Sequence, residues 1–76
     1  MASKETLDAL ANRIRLGIDE SGLHSMFKED LEKLWMQNQE ISADEKSMLI
    51  MNFAVVYGFK VEVMGDATSA IFYPLK

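Results

Sequence analysis

Cysteine is absent from the 76 residues, and that one absence removes disulfides, thiolate metal ligands and a cysteine nucleophile together. Histidine occurs once, at His24, so imidazole-based metal sites and histidine-paired nucleophiles have little to draw on. Four glycines are spread too thinly for a loop that cradles phosphate, and proline occurs once, at Pro74. A basic excess is missing as well: twelve acids against eight bases leave a net charge of −4, the wrong sign for non-specific attraction to nucleic acid or an anionic membrane. The longest apolar stretch, "MLIMNFAVVYGF" from Met48 to Phe59, falls short of the roughly 20 residues that a membrane span needs. The opening residues, "MASKETLDAL", carry acids where a secretory signal would be basic and then apolar. These absences together predict a soluble, cytoplasmic, non-catalytic protein with no cofactor and no metal, and they disfavour nucleic acid as a partner.

What is present describes one small globular domain over residues 1–76. About half the residues are apolar and a quarter charged, the balance of a chain that folds. A domain of this size hides only about 60% of the surface its unfolded chain exposes. Without disulfides or a metal, dense packing or a partner chain must make up the difference.

Leu7, Leu10, Ala11, Ile14 and Ile18 recur at three- and four-residue intervals, which predicts a helix over about 4–20 with Ser3 as N-cap and Ser21-Gly22 as stop. Leu16 falls on the polar side of that helix, beside Arg13 and Glu20. Ser25 is placed to cap a second helix running to about Gln37, with Phe27, Leu31, Leu34 and Trp35 as its apolar stripe and Met36 among its acids. Ser42 and Glu45 have the spacing of a capping box, so a third helix begins there, and Gly58 is suited to a left-handed C-terminal position. That predicts a helix over 43–57; the alternative makes "FAVVYGFKVEV" one strand broken at the glycine. After Gly58 the period becomes two, with Phe59, Val61 and Val63 alternating against Lys60, Glu62 and Met64. A turn at Gly65-Asp66 returns the chain as "AIFYPL", in which Pro74 requires an edge strand or a strand end. The predicted fold class is α+β, three helices followed by a C-terminal antiparallel β-hairpin.

That order is also the order of a winged helix-turn-helix, in which the third helix would read DNA and the hairpin would be the wing. The residues that would then meet phosphate include Asp44, Glu45 and Asp66, where lysine or arginine is needed. A catalytic role for His24 lacks an oriented partner, and the adjacent carboxylates Asp19-Glu20, Glu29-Asp30 and Asp44-Glu45 point to different parts of a helix surface.

Protein contact is the remaining class, as a small regulator, adaptor or inhibitor. Leu16, Met26 and Met36 lie off the apolar stripes and would form a docking patch if contiguous, with Trp35 as either a core residue or an interface anchor. The third helix is apolar on nearly every side and must be covered. The simpler expectation makes it a central post between the first two helices on one side and the hairpin on the other. A second copy of the chain is the alternative, with Asn52 either bonded inside the domain or paired across a dimer axis.

Overall fold

The computed structural model describes residues 3–35 and 41–75. Among them the elements run α1 (Lys4–Ser21), β1 (His24–Phe27), α2 (Lys28–Trp35), α3 (Ala43–Tyr57), β2 (Phe59–Met64) and β3 (Ser69–Pro74). Three helices and an antiparallel sheet in the order β1-β3-β2 make an α+β fold.

α1 and α3 have the ends their sequences predict. The Ser3 hydroxyl accepts the Thr6 N–H and the Ser42 hydroxyl accepts the Glu45 N–H, both at 3.2 Å, so each first turn has one of its free donors satisfied. Gly22 and Gly58 close the two helices at φ 85° and 81°, a region that costs a side chain-bearing residue about 1 kcal/mol or more. The Gly22 N–H returns to the Ile18 carbonyl at 2.7 Å. Residues 53–57 are therefore helix, and the reading of them as strand is set aside.

The second helix is where expectation and structure part. Ser25 is not its cap; His24–Phe27 is a strand, and α2 starts at Lys28. β1 pairs antiparallel with β3 from His24↔Phe72 to Phe27↔Ser69, which turns Met26 inward and Ser25 and Phe27 outward. Four residues are too few to show a period of two, and Phe27 also fits the start of a helical stripe. The predicted end at Gln37 lies outside the described residues.

The sheet is thus three-stranded and not a hairpin alone, with β3 at its centre. Pro74 is tolerated there because it is the last residue of β3 and the β1 pairing has already stopped at Phe72. Phe72 is fully buried and collects the aromatic contacts, edge-on to Phe53 at 5.9 Å and to Phe59 at 6.1 Å. Around it lie Leu10, Ala11 and Ile14 of α1, Leu31, Leu34 and Trp35 of α2, and Ile50, Phe53 and Ala54 of α3. At Gly17 the absence of a side chain lets α1 approach β1 closely: an added Cβ would stand 2.9 Å from the Cβ and Cγ of His24.

α3 is not a post covered all round. Ile50, Phe53 and Ala54 are buried, whereas Met48, Met51, Asn52, Val55 and Val56 are exposed. Phe53 shows why, since it packs against Phe72 of the sheet and also shares a cleft with Leu34 of α2. Helices and sheet therefore meet the same side of α3, and the opposite side is left to solvent.

Candidate apolar docking face

The outer face of α3 follows from its spacing. Met48, Met51, Asn52 and Val55 stand at i, i+3, i+4 and i+7, with Val56 alongside, so their side chains form one stripe along the helix. The fractional exposures are 62% for Met48, 54% for Met51, 77% for Val55 and 75% for Val56. Single exposed apolar residues are ordinary; four on one stripe broken only by an asparagine are a contiguous apolar surface, the kind that marks an interaction site.

A cleft of about 170 Å³ runs beside this stripe, between Leu7 of α1, Leu34 of α2 and Leu49, Phe53 and Val56 of α3, with Asn52 and Tyr57 completing its lining. Its wall is apolar except for the Asn52 amide and the Tyr57 hydroxyl. The hydroxyl donates to Asp8 Oδ1 at 2.6 Å, joining the end of α3 to the start of α1. That hydrogen bond is the main reason the Tyr57 hydroxyl titrates above its ordinary value of 10.0; burial and the charge of Asp8 add to it and Arg15 opposes it.

The charged side chains near α3 stand at its two ends. Asp44 and Glu45 are exposed in its first turn, and its one base, Lys46, lies over the Trp35 ring at 5.4 Å. At the other end Arg15 of α1 stacks over Phe59 at 5.8 Å and Asp8 of α1 accepts the Tyr57 hydroxyl, a base and an acid together near the close of the helix. Between the ends the stripe carries no charge.

The residues singled out in the sequence are placed differently from one another. Leu16 is exposed, on the polar side of α1. Met26 is only 1% exposed because β1 turns it under the sheet, so it belongs to the core and not to a surface patch. Trp35 is only 5% exposed and is likewise a core residue. Met36 lies outside the described residues. Asn52 is exposed and not a buried amide, because α3 presents that side to solvent. The exposed stripe has no signal in the sequence, because Met48, Met51, Val55 and Val56 sit in a run whose inward residues are equally apolar, so that hydrophobicity alone does not tell the two faces apart.

A second, smaller apolar area lies on the outer face of the sheet, where Phe27 and Met64 flank Ser69 in one register row. Lys60, Glu62 and Ser25 lie exposed on the same face. Asp30 is held by Arg13 at 3.1 Å and Lys33 at 3.4 Å, so one member of the Glu29-Asp30 pair is engaged in surface ion pairs. His24 is half-buried against Gly17. Among the described residues no three histidine, aspartate or glutamate side chains are grouped to hold a metal, and no helix is long and apolar enough to cross a membrane. Compared with protein-family models, curated proteins and solved structures, the chain matches none.

Proposed function

We propose that this chain is a non-catalytic protein-binding module, a small regulator, adaptor or inhibitor, that docks through the outer face of α3. The observation that carries the reading is the uncharged stripe of Met48, Met51, Val55 and Val56 beside an apolar cleft, on the one helix whose opposite side already fills the core. Methionines are flexible and polarizable, which suits a surface that must fit another protein.

The element order and the strand order β1-β3-β2 support a winged-helix scaffold, with α3 where a recognition helix would stand and the β2–β3 turn as a short wing. Scaffold and use are separate matters. A helix that reads DNA needs donors for base edges and cations for phosphate; here the exposed stripe offers one amide, and Asp44 and Glu45 at its start and Asp66 in the hairpin turn are exposed. On this reading the helix that would meet a groove meets an apolar protein surface instead.

Affinity capture with the immobilised chain tests the proposal, run beside a Val55→Glu/Val56→Glu variant. Partners retained by the wild type and lost by the variant support docking through α3, since both valines are exposed and their replacement leaves the core intact. Binding to duplex DNA that weakens steeply with salt, undiminished in the variant, would overturn it.

A further inference from the structure

We infer that the free edge of β2 pairs with the β2 edge of a second copy of this chain, antiparallel and about a two-fold axis at Val61, so that two three-stranded sheets become one continuous sheet. This edge is separate from the outer face of α3 and owes nothing to the docking role proposed there.

β2 stands at one border of the sheet and pairs with β3 on one side only. Half of its backbone N–H and C=O groups therefore point away from β3. Proteins blunt such edges with short strands, proline, bulges, inward charges or a covering element. β2 runs for six residues, FKVEVM, without proline or glycine, and its register with β3 is unbroken from Phe59↔Pro74 to Met64↔Ser69. Its two charges, Lys60 and Glu62, are on the outer face, and none of the backbone hydrogen bonds described outside the regular elements ends on it. The opposite border is different: β1 has four residues, with α1 close against it where His24 meets Gly17.

The inner face also stops short at β2. Phe72 and Ala70 of β3 are fully buried, whereas Val61 and Val63, directly opposite them, are only half-buried. A second β2 continues that apolar row, with Val61 against its own counterpart and Val63 against Phe59 of the second copy, and removes more of both valines from water.

Charge then selects the register. A two-fold pairing must be self-complementary, and residues directly opposite across an antiparallel pair point to the same face. With the axis at Val61, Lys60 of each copy faces Glu62 of the other, giving two opposite-charge pairs on the outer face. Moving the axis by one residue either way sets Lys60 against Lys60 or Glu62 against Glu62. A slip that leaves the strands out of phase puts the valines of one copy on the polar face of the other. Both side chains are exposed and in place for this role: Lys60 has no ion pair among the described residues, and Glu62 is touched only by the Tyr73 hydroxyl at 3.4 Å on the β3 side.

Sedimentation equilibrium over a range of concentrations tests the inference on the full chain, and a monomer–dimer equilibrium is expected, with the dimer at twice 8.6 kDa. Lys60→Glu and Glu62→Lys should each raise the dissociation constant by about tenfold, because two attractive cross-strand pairs become repulsive. The double variant should return it to the wild-type value, since each pair is kept with its members exchanged; circular dichroism checks that all three remain folded. Position 61 supplies a second readout, as the chain has no cysteine of its own. Val61→Cys should oxidise readily to a disulfide-linked dimer, and Val63→Cys, which faces Phe59, should not. A monomer at every concentration up to high micromolar would overturn the inference. So would a dimer indifferent to the charge reversals, or one in which Val63→Cys links as readily as Val61→Cys. A dimer abolished by Val55→Glu/Val56→Glu but untouched by Lys60→Glu would place the contact on α3 and overturn the pairing of β2 edges. A monomer that still captures another protein through Val55 and Val56 would leave the docking role standing and remove the second copy.

Discussion

α1 and α3 start and stop by the same means: a serine hydroxyl accepts a backbone N–H three residues on, and a glycine at φ 85° or 81° ends the helix. Between those ends they diverge. α1 buries Leu10, Ala11 and Ile14 and turns Asn12, Arg13, Asp19 and Glu20 to water, with Leu16 the one large apolar side chain exposed among them. α3 buries Ile50, Phe53 and Ala54 and turns Met48, Met51, Val55 and Val56 to water, so its outward side is mostly apolar. Capping decides where a helix lies along the chain; the composition of its outward side decides what that helix presents to solvent.

The largest test of this contrast sets the two sides of α3 against each other. Phe53→Ala removes a ring that packs on Tyr57 at 4.9 Å and on Phe72, and should cost about 3–5 kcal/mol, enough to unfold a marginal domain of this size. Val55→Ala, two residues away and 77% exposed, should change the stability of the monomer by no more than about 0.5 kcal/mol. Urea unfolding in dilute solution measures both. Similar losses at the two positions would mean that the outer side of α3 is covered within the chain.

A second test concerns the side of α1 that faces the sheet. Gly17→Ala forces a methyl to within 2.9 Å of the His24 side chain, and overpacking of this kind should cost about 1–3 kcal/mol. Trimming the neighbour should reverse it, so Gly17→Ala/His24→Ala is expected to be more stable than Gly17→Ala alone. Thermal unfolding of the four proteins in that cycle decides the matter; independent, additive losses would show that the close approach of α1 to β1 is not what Gly17 provides.

How much of this was legible in the sequence differs between the same two helices. The ends of both could be read because Ser3, Gly22, Ser42 and Gly58 act locally, through backbone geometry within one turn. The inward side of α1 could be read too, since polar residues on its far side make the apolar ones stand out. For α3 the wheel is apolar everywhere, and which half is buried depends on where α2 and the sheet lie, a tertiary fact with no local signature. β1 was hidden for a related reason: His24–Phe27 becomes a strand by pairing with residues 69–72, some 45 positions on in the chain. Misplacing those four residues also misplaced Met26, which a helical reading puts on the surface and the sheet puts in the core.

A third test asks whether the shared punctuation is worth the same in both helices. Ser3→Ala and Ser42→Ala each remove one hydroxyl acceptor and should each cost about 1 kcal/mol. Gly22→Ala and Gly58→Ala should cost about as much, from the left-handed backbone alone, because neither site meets a close neighbour. Denaturant midpoints for the four variants give the comparison. A loss at α3 well above that at α1 would show that its cap also fixes the approach of the segment before it.

The smallest effect belongs to the one hydrogen bond described between the side chains of the two helices, from the Tyr57 hydroxyl to Asp8. This bond holds the hydroxyl in its protonated form, so the Tyr57 pKa is higher in the folded chain than the ordinary 10.0 of the unfolded one. The stability it contributes is therefore present in full below about pH 10 and is lost as pH rises through the folded value. Tyr57→Phe removes the bond at every pH while keeping the ring against Phe53. The stability difference between wild type and Tyr57→Phe should accordingly be constant from pH 7 to pH 9 and shrink above pH 10, with the other titrating groups cancelling in the subtraction. A difference that stays flat to pH 11 would mean that the hydroxyl and Asp8 are not joined in solution, and that α1 and α3 are held together by Leu7, Phe53 and their apolar neighbours alone.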